Sequence, residues 1–172
     1  MEKNIYGGGA KTNENGLEFE QLTDLATAIS NHGEYIVMGF KVLLNGKEVG
    51  LLAPKHKLYK LILEPKGIDW KEKVSKKILP DDVLYLYKTN EIYIIEKKFQ
   101  NVSGSVDEKL QTCDFKLKTY KKLFEDVTDK VHYIYVLNDW FKQEIYSDVL
   151  DYIISVNCKF FFNILPMEEV GL

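Results

Sequence analysis

Arginine is absent: all 23 basic residues are lysines. A planar, two-pronged guanidinium grip on a phosphate or a guanine edge is therefore excluded. Cysteine is nearly as scarce, with two in 172 residues, too few for a disulfide scaffold or a zinc site of cysteine pairs. Cys113 and Cys158 are read as free thiols of an intracellular, cytoplasmic protein. No apolar run approaches the roughly 20 residues that span a bilayer, and the first residues lack the apolar stretch of a secretory signal, so no membrane role is expected. There are only four prolines, and no repeat, linker or low-complexity run divides the chain. Residues 1–172 are read as a single domain. Apolar residues make up 45% and aromatic residues 13%, which excludes disorder for the bulk of the sequence.

The formal net charge is −3, but the lysines are unevenly spread. Residues 55–77 hold eight (Lys55, Lys57, Lys60, Lys66, Lys71, Lys73, Lys76 and Lys77) against Glu64, Asp69 and Glu72. Phosphate binding follows such local patches rather than the whole-chain sum. A solvated lysine-rich face is the plain alternative.

Residues 7–16 are turn-rich, and apolar spacing from Leu17 to Ile29 predicts a helix ending near Gly33. Residues 34–52 read as a hairpin around Asn45-Gly46. Pro54 opens a short basic helical stretch, His56 to Leu63. Two β-rich runs, from Val83 and from Ile92, flank Thr89-Asn90-Glu91 and predict a second antiparallel hairpin. Ser105 to Glu108 fits a capping box opening a helix with Leu110, Cys113, Leu117, Tyr120 and Phe124 on one side. A buried strand over 131–137, a helix from Glu144 to Asn157 and a strand from Lys159 to Leu165 complete an α/β order.

The second hairpin carries the chemistry. Pro80-Asp81-Asp82 enters its first strand and Glu96-Lys97-Lys98 ends its second, so the hairpin brings these ends together. With a two-residue loop, Asp81 faces Lys98 and Val83 faces Glu96. Alternation then sets Asp81, Glu96 and Lys98 on one face and Asp82 and Lys97 on the other. A three-residue loop would put Asp82 on that face instead. Two carboxylates beside a lysine suit a hard dication such as Mg²⁺, which polarises a phosphate oxygen and acidifies a bound water.

Pro80-Asp81 followed by Glu96-Lys97-Lys98 resembles the signature of the PD-(D/E)XK nucleases, the fold of many type II restriction endonucleases. The resemblance implies a restriction-endonuclease-like α/β core, a mixed central sheet flanked by helices, and covers residues 80–137. It implies metal-ligand roles for Asp81 and Glu96, with Asp82 an alternative first ligand. It adds the Lys97 carbonyl as a ligand and makes Lys98 the catalytic lysine. Many members place a glutamate of the first helix at the site; Glu20 is chosen for this over Glu18. The implied activity is Mg²⁺-dependent cleavage of double-stranded DNA leaving a 5′-phosphate, by a homodimer acting on a palindromic site. Lys73, Lys76, Lys77, Gln100, Ser103 and Ser105 are the expected DNA contacts, and Gln111 could face the site. Three rival readings stay open: a structure-selective repair or recombination nuclease such as a junction resolvase, a non-catalytic nucleic-acid- or protein-binding module of the same fold, and an unrelated soluble α/β domain whose hairpin charges merely face solvent.

Overall fold

A computed structural model of the chain describes Phe19, residues 23–102 and residues 104–172. These residues form one mixed sheet whose seven strands lie side by side in chain order. The strands are β1 (Tyr35–Met38), β2 (Lys41–Leu44), β3 (Lys47–Leu52), β4 (Asp82–Leu86), β5 (Glu91–Lys98), β6 (Val131–Leu137) and β7 (Lys159–Phe162). The pairs from β1–β2 to β4–β5 are antiparallel, whereas β5–β6 and β6–β7 are parallel. Parallel neighbours need a long crossover, and here each crossover carries a helix: Cys113–Leu123 before β6 and Ser147–Ser155 before β7. This is the α/β architecture expected from the alternation of elements.

Both faces of the sheet are covered. Val83, Tyr85, Ile92, Ile94, Tyr133 and Tyr135 point to the face packed by the helix Cys113–Leu123. Leu84, Leu86, Tyr93, Ile95, Ile134 and Val136 point to the opposite face, over which Leu25, Ile29, Leu165 and Met167 lie. Burial on two sides explains why β4, β5 and β6 read as near-continuous apolar runs.

Several elements differ from their expected form. The stretch 34–52 is a three-strand meander, because Gly39 (φ 61°) turns the chain once before the Asn45-Gly46 pair (φ 50° and 76°) turns it again. The helix expected from Leu17 is interrupted: Phe19 is helical, Thr23 and Asp24 are not, and a separate helix Leu25–Asn31 opens where the Asp24 carboxylate accepts the Thr27 N–H at 2.9 Å. The helix expected from Ser105 is split into Val106–Leu110 and Cys113–Leu123. The Thr112 hydroxyl donates to the Lys109 carbonyl at 2.7 Å, a local bond that competes with the helix ladder, and Ser105 makes no side-chain cap. The stretch Glu144–Tyr146 is a 3₁₀ turn ahead of the helix Ser147–Ser155. β7 stops at Phe162, before Asn163 takes φ 63°. Cys113 and Cys158 are both buried free thiols. Among the described residues no helix is long and apolar enough to cross a membrane.

Gly50 shows how tightly the sheet is built at β3–β4. It pairs with Leu86, and a methyl group on it would meet the Tyr85 carbonyl oxygen at 2.5 Å and a Leu86 methyl at 3.1 Å. A backbone oxygen in a paired strand cannot step aside. Gly50→Ala is expected to cost about 1–3 kcal/mol of stability, read from the urea midpoint; an unchanged midpoint would mean that this approach is looser than described.

Candidate active site at the β4–β5 rim

The β4–β5 register sets the site. Leu86 pairs with Glu91 and Asp82 with Ile95, so the connection Tyr87–Asn90 is a four-residue loop, two residues longer than the shorter of the two alternatives. Asn90 (φ 55°) accepts from the Tyr85 hydroxyl at 2.8 Å and donates to the Val127 carbonyl at 3.1 Å, which pins the loop. Two additional loop residues move the pairing by two positions and leave its parity unchanged. Asp81 therefore meets β5 at Glu96 rather than at Lys98, and Asp81, Glu96 and Lys98 still share a face.

β4 begins at Asp82, and beyond that point the ladder offers no further strand residue. The Asp81 carboxylate fills the gap: its Oδ2 accepts the Lys97 N–H at 2.7 Å. Glu96 follows Ile92 and Ile94 on the buried face and is only 5% exposed. A buried carboxylate needs compensating charge, and Glu96 has two ammonium partners. Lys98 Nζ donates to its Oε2 at 2.8 Å, and Lys116 Nζ to its Oε1 at 3.2 Å. Lys98 Nζ also donates to the Lys97 carbonyl at 3.0 Å and lies 3.8 Å from Asp81 Oδ2. One ammonium thus sits among three oxygens: two carboxylates and one carbonyl.

Beneath them lie the Tyr120, Tyr133 and Tyr135 side chains, each at most 1% exposed. Burial pushes all three phenols well above their ordinary value, and the Glu96 charge adds to the effect. They stay protonated near neutral pH and exchange no proton there.

Asp82 and Lys97 point to the other face, where they form an ion pair at 2.8 Å with side chains 13% and 7% exposed. Burial raises the Asp82 carboxyl above its usual range, opposed by the Lys97 ammonium. The doubled aspartate is thus divided by the pleat, and Asp82 does not converge with Asp81 and Glu96. Its expected role as an alternative ligand does not fit this geometry.

The other expected contacts are scattered. Gln100 is 3% exposed rather than on the surface. Its backbone exchanges bonds with the Asn138 amide at 3.1 and 2.8 Å, while its side-chain amide finds no partner among the described residues. Ser105 is exposed, Lys76 is exposed, and Lys73 is held by Glu125 and Asp126 at 2.9 and 2.6 Å. Lys77 lies over the Tyr59 and Trp70 rings. Gln111 lines a separate cleft with Ile145 and Tyr152. Glu18, Glu20 and Ser103 lie outside the described residues; Phe19, between the two glutamates in sequence, packs on Phe99 with ring centroids 5.7 Å apart.

Lys116 was not anticipated. The signal is nonetheless in the sequence: Cys113, Lys116, Leu117 and Tyr120 stand at i, i+3, i+4 and i+7, so the lysine falls on the inward stripe of its helix.

The donor set offered to a metal ion is therefore Asp81, Glu96 and the Lys97 carbonyl. All are hard oxygens, the kind Mg²⁺ takes. Among the described residues no group of three or more His, Cys, Asp or Glu side chains gathers to hold an ion, so water would have to complete the shell. No protein-family profile matches the chain, and neither a curated protein nor a solved structure does.

Lys97→Met would strand the Asp82 carboxylate in the core. The expected cost is about 3 kcal/mol near pH 7.5. The folded chain holds the Asp82 proton to higher pH than the unfolded chain does, so this group's contribution to stability falls as pH rises from its ordinary value through its raised one. Without Lys97 that window extends upward, and the stability deficit of the variant should shrink between pH 7.5 and 5. Urea midpoints at the two pH values check this; a deficit that is constant or grows on acidification would contradict the buried pairing.

Proposed function

We propose that the chain is a metal-dependent DNA endonuclease of the PD-(D/E)XK kind, hydrolysing phosphodiester bonds of double-stranded DNA in the manner of a type II restriction enzyme. The observation that carries this reading is the ring of oxygens about Lys98 Nζ: Glu96 Oε2, the Lys97 carbonyl and Asp81 Oδ2 at 2.8, 3.0 and 3.8 Å. Carboxylates and a carbonyl that already enclose one cation form a hard-oxygen set on which a dication can compete. The succession of β4, β5, the helix Cys113–Leu123 and the parallel strand β6 supports the same reading.

Asp81, Glu96 and the Lys97 carbonyl would hold Mg²⁺. When bound, the ion supplies polarisation of the scissile phosphate and a more acidic water. The chain's own groups do the rest. Asp81 is aimed by the Lys97 N–H, and Glu96 is held in direction by Lys116. Lys98 would bring a positive charge to the phosphoryl oxygens, where negative charge builds, and could orient the attacking water. Glu20 is proposed to support the site from the N-terminal segment. Each site cuts one strand, so a two-fold homodimer would serve both strands of a palindromic duplex. The structure-selective nuclease shares this chemistry and differs in substrate: discrete plasmid fragments favour the restriction reading, and cutting of branched DNA alone favours the other.

Purified chain and its Glu96→Gln and Lys98→Met variants are to be incubated with plasmid in Mg²⁺ or EDTA. Cleavage should require the metal and fall at least about a hundredfold in either variant, with DNA binding retained. Wild-type-like cutting by either would refute the assignment. Calorimetric Mg²⁺ titration separates the two roles: Glu96→Gln should lose uptake, whereas Lys98→Met, which removes the competing ammonium, should bind the ion at least as tightly as the wild type.

A further inference from the structure

The helix Cys113–Leu123 has a second, outward stripe. Phe115, Lys118, Thr119 and Lys122 stand at i, i+3, i+4 and i+7 and face the segment Lys73–Ile78 across a groove of about 310 Å³. That volume lies in the range of ligand clefts, roughly 300–1,000 Å³. Four lysines line it: Lys73, Lys76, Lys118 and Lys122. Lys73 is tied to Glu125 and Asp126, and Lys118 to Asp114. Lys76 and Lys122 form no ion pair among the described residues, so positive charge is left over in the groove. Among these cations the Phe115 ring stands 70% exposed. An aromatic face beside uncompensated lysines is the pairing that single-stranded nucleic acid uses: phosphates on the ammonium groups, a base on the ring.

Both walls of the groove lead to the rim site. One wall runs from Ile78 through Leu79 and Pro80 into Asp81. On the other, Phe115 adjoins Lys116, whose ammonium touches Glu96 at 3.2 Å.

We propose that this groove carries the DNA strand next to the cut bond, with Lys76 and Lys122 on its phosphates and Phe115 stacked on a base that is unpaired there. The inference rests on the nuclease chemistry at the rim and, within it, favours the structure-selective alternative over a plain palindromic duplex: the substrate is DNA with an unpaired nucleotide beside the scissile phosphate. Phe115, Lys76 and Lys122 are the binding residues under this proposal, and Thr119 is a neutral part of the lining.

The test uses the full chain in EDTA, so that no cleavage intervenes, with fluorescein-labelled single-stranded, forked and blunt oligonucleotides read by anisotropy. A second set carries 2-aminopurine at the junction. The wild type should prefer single-stranded and forked DNA over blunt duplex and quench 2-aminopurine. Phe115→Ala should weaken forked and single-stranded binding about tenfold, abolish the quenching and leave blunt duplex unchanged. Phe115→Trp should restore both, and Lys76→Gln with Lys122→Gln should weaken all three and flatten the salt dependence. Equal affinities of wild type and Phe115→Ala for every oligonucleotide, or no quenching in the wild type, would overturn the proposal. These binding readouts are independent of the cleavage assay, so a chain that passes here and cuts neither plasmid nor forked DNA in Mg²⁺ keeps the groove and loses the nuclease reading.

Discussion

The hydrogen bond from the Lys97 N–H to the Asp81 carboxylate, 2.7 Å long, closes the open end of the β4–β5 pair. Strand β4 has run out at that point, and a side chain takes the place of a backbone acceptor. Because Asp81 is held there, its second charged neighbour on the face, Glu96, lies directly across from it, and the Lys98 ammonium falls between the two carboxylates and the Lys97 carbonyl. Every chemical statement about the rim follows from this one closure. If Asp81 swung into solvent, the remaining group would be a buried glutamate with two lysine partners, and an ion pair of that kind is an ordinary structural feature.

The period of two along a strand then sorts like charges. Asp81, Glu96 and Lys98 go to the helix-covered face, and Asp82 and Lys97 to the other. Each face receives compensating lysines, so neither carries a bare buried charge, whose desolvation would oppose folding. The two aspartates that look equivalent in the chain have unlike partners and unlike surroundings: one at a rim beside a basic groove, the other inside the core against Lys97. The helix Cys113–Leu123 serves both regions, with Lys116 turned inward to Glu96 and Phe115 and Lys122 turned outward to the groove.

Much of this was legible in residue order. Val83 to Lys98 announces its hairpin through β-branched and aromatic runs around a polar turn, but the parity stood open between a two- and a three-residue loop; the four-residue loop has the parity of the former and groups Asp81 with Glu96 and Lys98. An odd change would have inverted the site. The break at Gln111-Thr112 was not legible, since it arises from a local hydroxyl bond that no apolar period reports. The extra turn at Gly39 lay hidden in a stretch that already contained a stronger turn signal. Gln100, an expected DNA contact, is buried, and its backbone is bonded to the Asn138 amide. Lys116 was obscured by the charge-rich run around it, although its spacing from Cys113 and Tyr120 assigns it inward.

Under the proposed function, the oxygens of Asp81, Glu96 and Lys97 form one seat for a divalent ion. The most direct measurement is a crystal of the chain soaked in Mn²⁺, with anomalous diffraction collected at the manganese edge. A single strong peak bonded to both carboxylates and to the Lys97 carbonyl, with the Lys98 ammonium displaced from among them, is the expected result. Clear density for Lys98 still between the three oxygens, with no manganese at the rim under saturating metal, would contradict it.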